Sequence, residues 1–296
     1  MKTVLITGGT GLVGRHLTNK LRENNFDVRI LSQRKSSEYF YWNPAKKEID
    51  EAAFENLDVI IHLAGASISK RWTNSYKKIL YESRVLSANL LFETVKKTGC
   101  PLKKFITASG VNYYGTATTS KVFTEEDPHA TDFLGNLCAA WEAAAKQFES
   151  IGCRVCSVRT GVVLSPDGGM LKSILPPAKF SFISPLGSGQ QIVPWIHLDD
   201  LAELYLFLLQ NEKLEGAFNA VATEIVTSKQ FTESFVKALG KRIFLPNTPA
   251  ILLQLIFGET ASIMLKGSAV SNEKIKNSGF GFQFENLDTA MKDLLN

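Results

Sequence analysis

MKTVLITGGTGLVGRHLTNKL, from Met1 to Leu21, is the stretch on which the fold is decided. Thr3 to Ile6 is a short, apolar and partly β-branched run, the kind that forms a parallel strand buried on both faces. From Leu12 onward the apolar residues Leu12, Val13, Leu17 and Leu21 read as a helix. Gly8, Gly11 and Gly14 lie between or just inside these elements and answer three needs: a tight turn off the strand, close approach of a phosphate to the backbone, and close packing of helix on sheet. The exposed N–H groups and positive dipole of the helix start then face an anion. Strand, glycine turn and helix in this order predict a pyrophosphate site formed by Thr7, Gly8, Gly11, Leu12, Val13, Gly14 and Arg15.

The next elements extend that reading. Asp27 to Ser32 forms a second strand, and Gln33-Arg34-Lys35 stands at its end. An acid there serves the ribose 2′-OH of NAD, whereas basic groups accommodate a 2′-phosphate, so Arg34 and Lys35, helped by Arg15, predict NADP(H). Tyr39 to Trp42 and Lys47 to Ile49 are short extended pieces around a turn at Asn43-Pro44. Val59 to Leu63 is a further buried strand that runs into Ala64-Gly65, where Leu63, Ala64 and Gly65 let the cofactor lie against the backbone. His62 reads as a satisfied core histidine. A polar loop with Lys70, Arg71 and Trp72 leads into a long helix ending near Gly99, and Pro101 precedes the strand Lys104 to Ala108. Trp141 to Ile151 reads as a helix and Arg154 to Leu164 as another strand.

Strands alternating with helices specify an α/β fold with a doubly wound parallel sheet. Residues 1–165 form the nucleotide-binding domain, to which 192–222 is expected to return. After Leu164 the prolines and glycines crowd together, and 166–296 is expected to make a smaller, discontinuous, substrate-covering region. Within it Leu198 to Leu209 is a helix, and Thr227 with Gln230 makes a capping box for a helix ending at Gly240.

Composition narrows the class. The 296 residues carry 33 basic and 29 acidic side chains, too balanced for a nucleic-acid-binding surface. The pairs Lys77-Lys78, Lys96-Lys97 and Lys103-Lys104 read as solvated helix ends and loops. No apolar run approaches the roughly 20 residues that span a bilayer. The start runs straight into a strand, which argues against a signal peptide. Cys153 and Cys156 lie three apart in a strand-like run and face opposite ways, so with Cys100 and Cys138 they read as free thiols of a cytoplasmic protein. The expected partner is a small molecule, with no nucleic acid and no membrane, and the composition is compatible with a homo-oligomer.

The spacing TGGTGLVG resembles that of the extended, epimerase-like short-chain dehydrogenases/reductases. HLAG, from His62 to Gly65, resembles the Asn-Ala-Gly motif of that superfamily. The segments KRW, SRV, FLGNLCAAWE, RTGVVLSPDGG, PLGSGQQ, PWIHLDDL and PAILLQLIFGE narrow the resemblance to an atypical branch with a C-terminal domain of unknown function, over nearly the whole chain. The resemblance implies a Rossmann-like fold and an NADP(H)-linked oxidoreductase or nucleoside-diphosphate-sugar epimerase. KGSAV, Lys266 to Val270, departs from that branch, where a glutamine and an arginine are usual.

Enzymes of this superfamily use a tyrosine as acid or base, its phenolate favoured by a lysine four residues later, because a nearby cation lowers a phenol's pKa from about 10. None of the seven tyrosines here has that lysine. Glu142 matches the glutamate that follows the pair, and counting back from it puts Cys138 at the lysine position and Leu134 at the tyrosine position. TASGVNYYG offers substitutes just past a strand end: Ser109 to polarise a carbonyl, and Tyr113 or Tyr114 to donate a proton. Arg71, Trp72, Asn112 and His197 are expected to bind the substrate. A non-catalytic NADP(H) sensor that has lost the proton-transfer pair is the rival reading.

Overall fold

In the computed structural model, which describes residues 1–295, β1 (Thr3–Thr7) is wholly buried and turns into α1 (Leu12–Glu23). β2 (Asp27–Ser32), β3 (Phe40–Asn43), β4 (Glu48–Ile49) and β5 (Val59–His62) follow, with a short 3-10 turn at Pro44–Lys46 where Asn43-Pro44 predicts one. α2 (Asn74–Tyr81) runs through a turn of π-helix at Glu82–Leu86 into α3 (Ser87–Thr98), and Gly99, at φ +64°, ends it in the left-handed conformation glycine favours. β6 (Lys104–Gly110), the short β7 (Val122–Phe123) and α4 (Phe133–Lys146) precede β8 (Arg154–Thr160) and β9 (Val162–Leu164).

The second half comprises α5 (Gly169–Lys179), β10 (Trp195–His197), α6 (Leu198–Gln210), β11 (Gly216–Ala220) and α7 (Ser228–Ala238). The capping box at Thr227 and Gln230 is formed as the spacing predicts. α8 (Ala250–Phe257), α9 (Ser262–Leu265), β12 (Ala269–Val270), α10 (Glu273–Asn277) and α11 (Leu287–Leu295) complete the chain.

Eight strands form the main sheet in the order β11-β8-β6-β5-β1-β2-β3-β4. All neighbours are parallel except β3 and β4. The chain starts at β1 in the centre and winds outward in both directions, so the sheet has a switch point beside β1. One apolar layer packs Leu17 and Leu21 of α1 and Leu201, Leu204 and Leu208 of α6 against one face. On the other, Leu90, Leu91 and Val95 of α3 meet Phe105 and Phe148.

Two details differ from the sequence reading. Arg154 to Leu164 is not one strand, because at Gly161 the chain leaves the main sheet and β9 pairs with β10 instead. A Cβ at Gly161 would lie 2.6 Å from the Pro194 carbonyl oxygen, so this crossing needs glycine. Lys104 is not solvated: it is buried, and its ammonium donates to the carbonyls of Leu208 (2.6 Å) and Asn211 (2.7 Å) at the end of α6. Its neighbour Lys103 is exposed and pairs with Asp58.

Candidate functional site

At the carboxyl end of β1 the glycine turn has the shape a pyrophosphate needs. Gly8 sits at φ +73°, and a side chain there would come within 2.9 Å of the Leu63 backbone. Gly14 is held so tightly that an added Cβ would lie 2.2 Å from the Gly8 carbonyl oxygen. Gly11 is different: it is exposed, adopts an ordinary extended φ of −78° as the residue that caps α1, and has only the Gly8 oxygen nearby at 3.2 Å. No side chain caps this helix start, so its N–H groups face outward from the turn. Leu12 and Val13 are half-buried, and Arg15, Arg34 and Lys35 are exposed. The residues present therefore fit a dinucleotide.

Thr7 plays a part the sequence reading did not assign to it. Its side chain is fully buried, its oxygen accepts from the Ala64 N–H (3.2 Å), and it lies 2.7 Å from Nδ1 of His62. On the other side of the ring, Nε2 lies 3.2 Å from Ser87 Oγ and 3.4 Å from the Arg84 carbonyl. Both of those oxygens suit an N–H donor, which puts the ring proton on Nε2 and makes Nδ1 the acceptor for Thr7. Burial pushes the His62 pKa down to about 4, so the imidazole is neutral and structural. Thr7 thus positions Ala64 rather than touching a phosphate with its side chain.

At the carboxyl end of β6, polar side chains are engaged with one another. Ser109 donates to Glu142 of α4 at 2.7 Å, and Glu142 accepts two bonds from Arg159 of β8, both at 2.9 Å. Arg159 also donates to the Tyr114 hydroxyl (3.0 Å), which in turn donates to Asn219 of β11 (2.7 Å). Tyr114 was expected to be a proton donor in the cleft; it is instead buried, with its hydroxyl spent on Arg159 and Asn219. Burial, only partly offset by Arg159, pushes its pKa up to about 12. Tyr113 is half-buried, lies face-on over the Arg159 guanidinium at 3.4 Å from the ring centroid, and makes no side-chain hydrogen bond among the described residues. Asn112 beside it is half-buried and likewise has a free carboxamide.

Leu134 and Cys138 both face inward from α4. Leu134 packs with Trp72, Leu80 and Leu137, and burial pushes the Cys138 thiol up to about 11. Neither transfers a proton at neutral pH. Trp72 was expected to contact substrate, but its ring is buried in this cluster, and its N–H donates to the Ile68 carbonyl at 2.9 Å. His197, expected in the same role, is buried at the start of α6, stacked on Phe284 at 3.9 Å. Its Nδ1 accepts from the Asp199 N–H (3.1 Å), which leaves the proton on Nε2, 3.3 Å from Asp293. His197, Asp199 and Asp293 bring their ligand atoms within 4.8 Å of one another, yet a protonated Nε2 has no lone pair to give a cation. Arg71 is exposed and lies against Gly258. Gly258 helps line a cavity of about 590 Å³ with Gly187, Ala250, Gln254, Glu259 and Lys266, and none of the Ser109 group borders it.

Sequence reasoning missed Arg159, Asn219 and Arg84 as members of this site. Arg159 had a signal, since it precedes the last strand residue at the edge where Ser109 also lies. Asn219 had none, because nothing local marks its pairing with a residue 105 positions away.

A parallel sheet with its switch point at a glycine-lined helix start, and polar groups gathered past the neighbouring strand ends, defines a dinucleotide-binding Rossmann protein of the reductase and epimerase type. Residues 4–220 match the NAD dependent epimerase/dehydratase family, and the chain belongs to that family. Residues 248–294 match a domain of unknown function, DUF1731. Over its whole length the chain is 35% identical to epimerase family protein SA0724 of Staphylococcus aureus, covering 99% of it. It is 33% identical to mouse epimerase family protein SDR39U1, with 99% of each covered. The crystal structure of human SDR39U1 with NADPH superposes with a TM-score of 0.91 at 31% identity, over 99% of both chains. A UDP-N-acetylglucosamine 4-epimerase from Bacillus cereus shares the fold, with a TM-score of 0.77 at 17% identity over 99% of this chain and 98% of that one.

Proposed function

We propose that the chain is an NADP(H)-dependent oxidoreductase that reduces the carbonyl group of a small polar, sugar-like molecule held between the carboxyl edge of the sheet and the C-terminal region. The choice of NADP(H) rests on Arg34 and Lys35, both exposed at the end of β2, and is supported by the NADPH in the human relative. A bound reduced nicotinamide supplies the hydride. The protein's own part is to hold the carbonyl and give its oxygen a proton.

The observation that carries this reading is the contrast between the two tyrosines. Tyr114 is spent on Arg159 and Asn219, whereas Tyr113 has a free hydroxyl, a ring fixed by Arg159 and a free Asn112 carboxamide beside it. Tyr113 gives its proton to the substrate oxygen, Asn112 binds a neighbouring polar group, and Ser109 joins by turning its hydroxyl from Glu142 toward the carbonyl. A turnover assay with NADPH and a panel of aldehydes, ketones and nucleotide sugars tests this. Tyr113→Phe is expected to lower kcat by about 100-fold or more, the range for loss of a general acid, while Tyr114→Phe lowers stability. An unchanged rate in Tyr113→Phe would show that the proton comes from elsewhere.

The sensor reading draws on a specific observation too. The inert Cys138 thiol and the apolar Leu134 leave no tyrosine-lysine pair on α4. If nothing in the panel reacts while NADPH binds, that reading prevails.

A further inference from the structure

Arg84 is a buried guanidinium without an acid. Its NH2 group donates to the Ala66 carbonyl (3.0 Å) and its NH1 group to the Leu80 carbonyl (3.2 Å), while the plane lies 4.9 Å from the Trp141 ring centroid. No carboxylate pairs with it among the described residues, although buried charges are ordinarily paired because desolvating a lone one costs several kcal/mol. Two local features exist to seat it. The turn of π-helix at Glu82–Leu86 breaks the α-helical run at this residue, and such turns recur at functional sites. Gly65, exposed at the end of β5, has no side chain where a Cβ would lie 3.1 Å from the guanidinium carbon.

The position of this charge matters. Trp141, over whose ring Arg84 lies, stands on α4 one turn beyond Cys138, the residue standing where a lysine is usual, and the Cys138 sulfur in turn lies beside Gly110, next to Ser109. A cation is thus present within a helical turn of the lysine position, delivered from a different helix.

We propose that Arg84 is the fixed positive charge of the active site, takes the electrostatic place of the lysine absent at position 138, and biases the site toward the uncharged, reduced nicotinamide. The proposal rests on the NADP(H) reading above. Oxidised nicotinamide carries a positive charge that the guanidinium repels, and the reduced ring does not. A site containing Arg84 therefore binds NADPH more tightly than NADP⁺, on the order of tenfold for unit charges several ångströms apart in a partly screened site.

The experiment titrates NADPH, NADP⁺ and adenosine 2′,5′-bisphosphate, which lacks the nicotinamide half, into the parent, Arg84→Met, Arg84→Lys and Arg84→Met/Cys138→Lys. The expected result is a roughly tenfold preference for NADPH in the parent and in Arg84→Lys, a ratio near one in Arg84→Met, and recovery in the double variant. Affinity for the bisphosphate stays level throughout. Equal affinities for NADPH and NADP⁺ in the parent overturn the proposal whether or not any variant folds. So does an unchanged ratio in Arg84→Met, or a loss of bisphosphate affinity in step with NADPH, which marks a packing role only. A parent that binds the bisphosphate but neither full dinucleotide, or none of the three, overturns the cofactor reading first, and this proposal falls with it.

Discussion

At the turn between β1 and α1 side chains are missing and the backbone is on offer; at the junction of β6 and α4 side chains are present and committed to one another. Both lie on the carboxyl edge of one sheet. The first region is shaped by what it lacks, since Gly8 and Gly14 leave no room for a Cβ and Gly11 has only the Gly8 oxygen near the place of one. The second is held by Ser109, Glu142, Arg159, Tyr114 and Asn219, joined in one chain of hydrogen bonds. A binding surface can thus be read from small residues in sequence order, whereas a polar network depends on partners that only folding brings together. The sharpest way to break this comparison is at two glycines three positions apart. Gly14→Val would drive its Cβ into the Gly8 carbonyl and is expected to cost about 4 kcal/mol or more, enough to prevent folding. Gly11→Val, with ordinary φ and only the Gly8 carbonyl oxygen close to a Cβ, at 3.2 Å, is expected to fold and to lose dinucleotide binding. Thermal unfolding and ligand titration of both variants check this; a stable Gly14→Val would mean that the turn is looser than its contacts say.

The second region predicts a different kind of failure. Glu142→Gln keeps the shape of the side chain and removes its charge, which leaves the Arg159 guanidinium buried without an acid. Breaking one side of such a pair typically costs about 3–5 kcal/mol. Denaturant unfolding should show that loss, and adenosine 2′,5′-bisphosphate binding to the folded fraction should be unchanged because the nucleotide turn is elsewhere. A loss of nucleotide affinity as large as the loss of stability would mean that the two regions act as one.

Much of the fold was legible because β1, β2, β5, β6 and β8 announced themselves as short strand-like runs alternating with helices, whereas β11, at the edge of the sheet, carried no such signal and was not read. The glycine turn at Gly8 to Gly14, the helix stop at Gly99 and the capping box at Thr227 are all local, and the turn, the stop and the box are each formed. The split of Arg154 to Leu164 was not legible, because what obliges Gly161 is Pro194, 33 residues later, and Val221, later still. Tyr113 and Tyr114 show the same limit at the site. They are adjacent and chemically identical in sequence, and only the positions of Arg159, Asn219 and Glu142 make one free and the other structural. Trp72 and His197 were misplaced for a related reason: an aromatic or imidazole near a loop looks available until the apolar groups that cover it are known.

His62, bonded to Thr7 of the first region and to Ser87 and the Arg84 carbonyl beyond β5, with its ring edge-on to Trp141 of α4, gives the comparison a pH dependence. An unfolded imidazole takes up a proton near pH 6.5, whereas the native one does so only near 4. Between those values the unfolded chain binds more protons, so the stability present above pH 6.5 is lost as the pH falls toward 4. The difference amounts to on the order of 3 kcal/mol. The lowered pKa of His197 acts in the same direction. His62→Gln is expected to flatten the dependence by its own share, measured as denaturant-unfolding free energy at pH 7 and pH 4.5. An identical slope in parent and variant would place the titrating group elsewhere.

The smallest effect concerns the outer rim of the glycine turn, where a charged side chain rather than a missing one is expected to set the choice of ligand. Arg34 is exposed at the end of β2, its N–H held by the Ser32 hydroxyl at 3.1 Å, and Lys35 beside it lies over the Tyr41 ring at 5.1 Å. That ring limits where Lys35 can reach, so Arg34, whose guanidinium makes no hydrogen bond within the described residues, is the stronger candidate for the 2′-phosphate. A hydrogen bond to a charged group contributes about 1.5–3 kcal/mol, and a phosphate accepts two parallel bonds from a guanidinium better than from an ammonium. Arg34→Ala is therefore expected to weaken NADPH by roughly 10- to 150-fold and to leave NADH unchanged, with Arg34→Lys in between. Fluorescence titration of both cofactors decides it. Equal affinities in the parent would remove the reason for NADP(H), and a loss shared by NADPH and NADH would show that Arg34 shapes the turn rather than reading the phosphate.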